Sequence, residues 1–600
     1  MKVWKLAGKL LKFRIGLVFL TLIFTVLWLG GRFAISFAVQ EIIDTLTGNE
    51  TAFALDITTL FIIAPFTYLG TFLLGATFDI VNWMYWISCE VLVRKNMMLG
   101  VLKKPGAQAL PDTTGEAISR FRGDVMNVVR LSYTLAVRIG IGIYSIGLMI
   151  YLFTISWQAT SLIFIPFALI LAIGLLGRRK MSSLRKIRRK AAGEVTGTLG
   201  KIFGSIQTFK VATVEENVLR HFDTKTEIRK KAVVNEEVFN AVINSIFLFS
   251  ISMGMGVILL LIGPAMNVGD FTVGNLYFFQ SQIWWLGEFV WLLGDMIPVV
   301  QQAKVSYERM LKIIQNKDET IVPDKLVADG PIYVYEDFPP YTKIERKEGD
   351  TLKLLSTENL SYHYPGTNKG IVNATLEIKR GSFTVITGRI GAGKTTLLRT
   401  ILGLVPTDNG KVYWNGTLVE EPSEFMIPPR SAYTPQVPFL FSESLRNNIL
   451  MNLREEEVNI PEATQLAIIE KEIEEFDDKL ETLVGPKGVR LSGGQKQRLA
   501  AARMFVRDAE LYVFDDLSSA LDVETEQKLW EQLFSKGREI TCLVVSHRPL
   551  ALRRADNIIV LKKGEIIDQG KLDDLLERSI EMQKLWEGDL SSLNGNGEQI

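Results

Sequence analysis

Six hundred residues exceed what one hydrophobic core organises, so at least two domains are expected. A formal net charge of +1, from 67 Lys and Arg against 66 Asp and Glu, excludes neither a nucleic-acid partner nor its absence, so the placement of the cations has to decide. Two cysteines, Cys89 in an apolar run and Cys542 in an expected buried strand, argue against a disulfide framework and a thiolate metal site and read as small buried hydrophobes.

The chain is split in composition. Residues 1–305 are dominated by long runs rich in Phe, Leu, Ile and Trp, and the remainder alternates charged and apolar residues as a soluble α/β domain does. A helix needs about 20 largely apolar residues to cross a hydrocarbon core of roughly 30 Å. Six segments meet that need, near Ile15 to Gln40, Thr59 to Ser88, Leu131 to Ser156, Trp157 to Leu176, Phe239 to Gly263 and Phe271 to Ala303. The first is too long for a cleavable signal, lacks a small-residue cleavage site and is followed by further spans.

The loops set the orientation. Segments 41–58 and 264–270 and the tight turn near Ser156 contain no Lys or Arg. Segments 89–130 and 177–238 are strongly basic, above all Arg178, Arg179, Lys180, Arg185, Lys186, Arg188, Arg189 and Lys190. Both termini are therefore expected in the cytoplasm, as in the plasma membrane of a prokaryote, with the cations against lipid headgroups rather than nucleic acid. The two basic segments are too long for plain connectors and are expected to extend the spans as helices. Lys104-Pro105-Gly106 and Pro111-Asp112 would end one helix and admit a short crosswise one. Five charges fall inside spans: Arg32, Asp79, Arg138, Glu288 and Asp295. They read either as structural pairs or as the lining of a polar cavity flanked by Trp284, Trp285 and Trp291.

Residues 316–352, with Pro323, Pro331, Pro339 and Pro340 among many charges, read as a linker. Domain limits follow as 1–315 for the membrane part, 353–590 for the soluble part and 591–600 for a flexible tail. The expected fold class is an all-α six-span transmembrane domain plus an α/β P-loop nucleotide-binding domain.

Phe383 to Thr387 reads as a buried strand leading into Gly388-Arg389-Ile390-Gly391-Ala392-Gly393-Lys394-Thr395 and the helical run that starts at Thr396. In that setting the glycines turn backbone N–H groups toward phosphates, Lys394 reaches the terminal phosphates of ATP and Thr395 can ligate Mg2+. A second strand, Glu510 to Asp515, ends in a carboxylate placed to hold the metal, and Asp516 follows where a general base would sit. A third, Ile540 to Ser546, ends at His547, a candidate γ-phosphate sensor. Between them Leu491-Ser492-Gly493-Gly494-Gln495 offers a second phosphate-binding surface in a chain with one phosphate loop, so two subunits are implied.

The ordered set of phosphate loop, Gln436, Leu491 to Gln495, Asp515, Ser519 to Asp522 and His547, after six spans, resembles the ABC exporters with fused membrane and nucleotide-binding halves. The resemblance implies that Tyr364 stacks on adenine, that Gln436 touches the metal and faces the membrane domain, and that Ser519 to Asp522 meets the partner across a dimer. It places coupling helices near Gln108 to Glu116 and Ser205 to Glu216, and implies a lipid, peptide or drug-like cargo moved by alternating access. Two positions depart from the family pattern. Asp516 stands where a glutamate is usual, and Pro486 where an acidic residue precedes the signature. A shortened base beside an intact signature resembles the degenerate-site member of a heterodimeric exporter, with a homodimer as the alternative. An importer of the same architecture and a nucleotide-gated channel are the rival readings.

Overall fold

The computed structural model describes the chain except residues 1, 50–55, 105, 107–113, 269–270, 315–322, 329–345, 486–490, 536–539 and 595–600. Some helical side chains are also left undescribed, among them those of 162–175 and 288–295. The chain divides into two compact units, Met1–Val101 with Leu110–Val334, and Leu102–Ala109 with Tyr335–Ile600.

The described residues of the first unit form helices: α1 (Lys2–Phe13), α2 (Ile15–Leu46), α3 (Ile57–Leu102), α4 (Thr114–Ser119), α5 (Val125–Ile155), α6 (Trp157–Gly204), α7 (Ile206–Ala212), α8 (Glu215–Val268) and α9 (Val273–Ile314). Among the described residues, Ile15–Leu46, Ile57–Leu102 and Gly115–Ile155 are long and apolar enough to cross a membrane. Helices α6, α8 and α9 contain the other three apolar segments of the sequence, and Ser156 makes the break expected between the third and fourth. At 1.5 Å per residue the 54 residues of α8 extend about 80 Å, so a large part of it lies outside any bilayer. Helix α7, between a break at Ser205 and a left-handed Thr213, falls where the second coupling helix is expected. The first expected one lies largely on residues outside the described set.

Helix α1 is an element that the sequence reading passed over. Val3, Leu6, Ala7 and Leu10 recur at helical spacing and are buried in a core shared with Val125, Val128 and Val129 of α5. The basic run on α6 also differs from expectation. Arg188 pairs with Glu236 of α8 at 3.1 Å and Lys225 of α8 with Glu194 at 2.9 Å. Part of that cationic charge therefore binds two helices together instead of facing headgroups.

The second unit contains two sheets. An antiparallel sheet, in the order β2-β1-β4-β5, consists of β1 (Leu354–His363), β2 (Gly370–Lys379), β4 (Asn409–Trp414) and β5 (Thr417–Leu418). A six-stranded sheet has the order β10-β9-β3-β8-β7-β6, from β3 (Phe383–Gly388), β6 (Ser431–Thr434), β7 (Leu511–Asp515), β8 (Thr541–Val545), β9 (Asn557–Lys562) and β10 (Glu565–Gly570). Strands β3, β6, β7, β8 and β9 run parallel, with Ile386 and Asp515 both level with Val545. These strands are apolar on both faces because each face is covered. Phe383 and Val385 enter one core with Leu499 and Phe505, and Ile386 enters another with Leu397, Leu398 and Ile401. Parallel alignment brings the carboxyl ends of these five strands to one edge, where α/β sheets bind ligands. Both cysteines are free and buried.

Candidate ATP site

From the end of β3 the chain turns through Gly388 to Gly393 into α10 (Lys394–Ile401). Gly393 sits at φ 105°, and a Cβ there would press on the Gly370 carbonyl at 3.1 Å, so this position requires glycine. It begins α10 with no side-chain cap, which leaves the first amides of the helix available to an anion. Lys394 Nζ donates to the carbonyls of Gly388 at 2.6 Å and Arg389 at 3.1 Å. Burial pulls its pKa below the usual lysine range, against the opposing fields of Asp516 and Asp515.

Asp515, buried at the end of β7, is held from two sides. Thr395 Oγ1 donates to its Oδ1 at 2.8 Å and Tyr433 OH donates to its Oδ2 at 3.2 Å. Burial raises its pKa despite these two hydrogen bonds, and burial, with Asp515 alongside, pushes the Tyr433 phenol up to about 12. Asp516 adopts the left-handed conformation at φ 57°, which turns its side chain away from the strand direction. Its main-chain N–H donates to the Val545 carbonyl at 3.1 Å, and Gln436 Nε2 donates to its Oδ2 at 3.0 Å. Gln436 and Asp516, far apart in sequence, therefore meet, as the parallel register requires. His547 is exposed just beyond β8. Beside it, Arg548 Nη1 donates at 3.0 Å to the fully buried carboxylate of Glu526, fixing the backbone that carries the histidine.

Tyr364, 36% exposed, reaches Thr396 Oγ1 at 3.3 Å and lies edge-on to Tyr362. Its ring is therefore both anchored and accessible, whereas the buried Thr396 hydroxyl is engaged by Tyr364. Arg389, expected among the nucleotide ligands, points its side chain elsewhere. Its Nε lies 2.7 Å from Glu581 at the start of the C-terminal helix Ile580–Asn594, and Lys562 pairs with the same carboxylate at 2.8 Å. Ile390 is fully exposed at the loop apex.

Ser492 precedes α11 (Gly493–Phe505). Its Oγ accepts from Gln495 N at 3.2 Å, and Gln495 Oε1 accepts from Ser492 N at 3.0 Å, a reciprocal cap. As an acceptor toward its own helix, the hydroxyl keeps its proton to donate outward. Among the described residues no hydrogen bond joins Ser492 to Gln495 with this chain's phosphate loop. Asp522 caps α12 (Val523–Ser535) through Thr525 N and Oγ1, both at 2.8 Å. The side chains of Ser519 and Ala520 are not described, and Pro486 lies outside the described residues.

Tyr433, Glu526 and Glu581 are the residues that sequence reasoning missed. Tyr433 carried a signal, since it lies in the same four-residue run as Gln436. The other two carried none. Among the described residues no cluster of three or more His, Cys, Asp and Glu could hold a metal alone. The hard oxygens of Thr395, Asp515 and Gln436 suit Mg2+ that takes its other ligands from phosphates and water.

Known proteins share this arrangement. Residues 18–284 match the family described as ABC transporter transmembrane region, and residues 371–519 the family described as ABC transporter. The chain belongs to the ABC transporters. Within that family, the ATP-dependent lipid A-core flippase of Alcanivorax borkumensis is 27% identical over 509 residues, 83% of this chain and 82% of the flippase. The flippase of Escherichia coli is 25% identical over 501 residues, 82% of each chain. An Arabidopsis thaliana protein, ABC transporter B family member 24, mitochondrial, is 28% identical over 404 residues; the match covers 67% of this chain and 57% of that protein. A solved structure of a bacterial Atm1-family ABC exporter with ATP bound superposes with a TM-score of 0.74 at 20% identity, covering 96% of this chain and 99% of the other. The fold is that of an ABC exporter, and the chain is an integral membrane protein whose cassette couples ATP to transport.

Proposed function

We propose that this ABC transporter chain is one half of an ATP-driven exporter whose own ATP site binds nucleotide firmly and hydrolyses it slowly, paired with a second half-transporter chain. Lys394 would exchange the two loop carbonyls for terminal phosphate oxygens, the N–H groups of Gly391 to Thr396 would take the remaining phosphates, and Tyr364 would lie on the adenine. Thr395, Asp515 and Gln436 would hold Mg2+, which when bound neutralises charge on the phosphate oxygens. Gln436 would orient the Asp516 carboxylate, and His547 would hold the γ-phosphate from the other side. Ser492 to Gln495, capped on their own helix, would close over the partner's nucleotide, so that ATP joins the two cassettes and hydrolysis releases them. Coupling segments near Gln108 to Glu116 and at α7 would pass that motion to six spans per chain, with both termini in the cytoplasm. The cargo class proposed is an amphiphile such as a lipid, peptide or drug-like molecule.

The observation that carries the slow site is Asp516, one methylene shorter than glutamate, with one oxygen already taken by Gln436 at 3.0 Å. A base that cannot reach the attacking water forfeits a contribution that is typically 100-fold or more. In the purified chain, Asp516→Glu should raise ATP turnover at least about tenfold. A wild-type rate normal for such exporters, with no gain in the variant, would favour a homodimer with two ordinary sites.

A further inference from the structure

Helices α2, α3 and α9 bring one full charge together with three aromatic rings. The guanidinium carbon of Arg32 lies 4.7 Å from the ring centre of Trp28 and 4.6 Å from that of Trp285. Trp28 is itself fixed, stacked on Phe78 at 5.5 Å with an interplanar angle of 8°. One turn along α2, Gln282 Nε2 donates to Ser36 Oγ and Tyr144 OH donates to Gln282 Oε1, each at 2.8 Å. Ser36 Oγ donates in turn to the Arg32 carbonyl at 3.1 Å. This buried relay ties α2, α5 and α9 at the level of the arginine, while Arg32, Trp28 and Trp285 are only half-buried.

Arg32 lies inside the apolar stretch of the 32-residue α2, about 12 Å along the helix from Gln40, where the expected span ends. Among the described residues no carboxylate pairs with it, and its Nε is buried without an acceptor. A cation at that depth is costly unless something compensates it, and indole faces compensate only partly. Trp28 and Trp285 stand edge to face with ring centres 6.0 Å apart, so both lie toward one side of the guanidinium and leave N–H groups on the other, groups that can grip an anion in two places.

We propose that Arg32 anchors the anionic headgroup of an amphipathic cargo molecule, with Trp28, Trp285 and Phe78 against the adjoining apolar chain. The exporter reading supplies the reason for such a molecule to enter the helices, but binding itself is testable without transport. Full-length protein in phosphatidylcholine nanodiscs, without nucleotide, would be titrated with lysophosphatidylglycerol and lysophosphatidylcholine of equal chain length, followed by tryptophan emission. The wild type is expected to half-saturate at about tenfold lower concentration with the anionic lipid. Arg32→Gln should abolish that preference and Arg32→Lys should retain part of it. If Arg32→Gln does not yield folded protein, Trp285→Phe carries the test, with a loss of a few-fold for the anionic lipid and none for the choline lipid. Equal affinities in the wild type, or a preference that survives Arg32→Gln, overturn the proposal. So does inorganic phosphate competing as well as the anionic lipid, which would mark a site for small anions. Failure of the exporter reading would show separately, as binding intact with no ATP-dependent movement of lipid across vesicles.

Discussion

Asp515 is placed for chemistry at a cost to the fold. Burial raises its pKa above the unfolded value of 3.8, so any stability it contributes is present below that value and is lost as pH rises. At neutral pH its charge is therefore a burden that bound Mg2+ would relieve. Asp515→Asn should raise the thermal midpoint of the nucleotide-free protein and shrink the further rise that Mg-ATP produces. A lower nucleotide-free midpoint with the Mg-ATP shift intact would contradict this. Glu581 has the opposite sign. Lys562, and after it Arg389, hold its pKa below the usual 4.5, so its stabilisation is complete above 4.5 and fades as pH falls through the lowered value. Glu581→Gln should lower the midpoint at pH 7 and flatten its decline toward pH 4; an unchanged acid limb would show that the pair does not brace the phosphate loop.

At the scale of elements, the readable parts of the site were those in which a few consecutive residues determine both backbone and chemistry. A buried strand, glycines and a helix start make Gly388 to Thr395 legible, because a loop of this kind presents its N–H groups from one short stretch of backbone. The ion pair of the Arg389 side chain was hidden for the converse reason, since Glu581 is on the last helix of the domain and no local pattern points there. Ser492 lies between these cases. Its spacing to Gln495 is a capping signature, yet the phosphate-binding reading did not register that the hydroxyl also serves its own helix. The two roles separate by substitution. Ser492→Gly should cost only a few tenths of a kcal/mol in stability, whereas Ser492→Ala should cost about 1 kcal/mol. Both should slow ATP turnover in the assembled dimer. Full turnover in Ser492→Gly would remove the hydroxyl from the partner's site.

At the scale of the whole molecule, hydropathy and charge made the helical half legible as spans continued by long extensions, because an apolar run of the right length has few alternatives. The same pattern says little about side-chain pairing. Arg185 and Arg188 read as headgroup contacts, yet Glu236 on α8 pairs with both, at 3.7 and 3.1 Å, a pairing across two helices that only packing reveals. The departure at Asp516, by contrast, was visible in the sequence and gains physical content from the Gln436 contact. The central claim is that this chain's loop grips ATP without promptly cleaving it. The direct measurement is the identity of the nucleotide retained at this site when the full transporter is loaded with Mg-ATP, washed and quenched. The account predicts mainly intact ATP on the wild-type chain; mainly ADP, or no retained nucleotide, would contradict it.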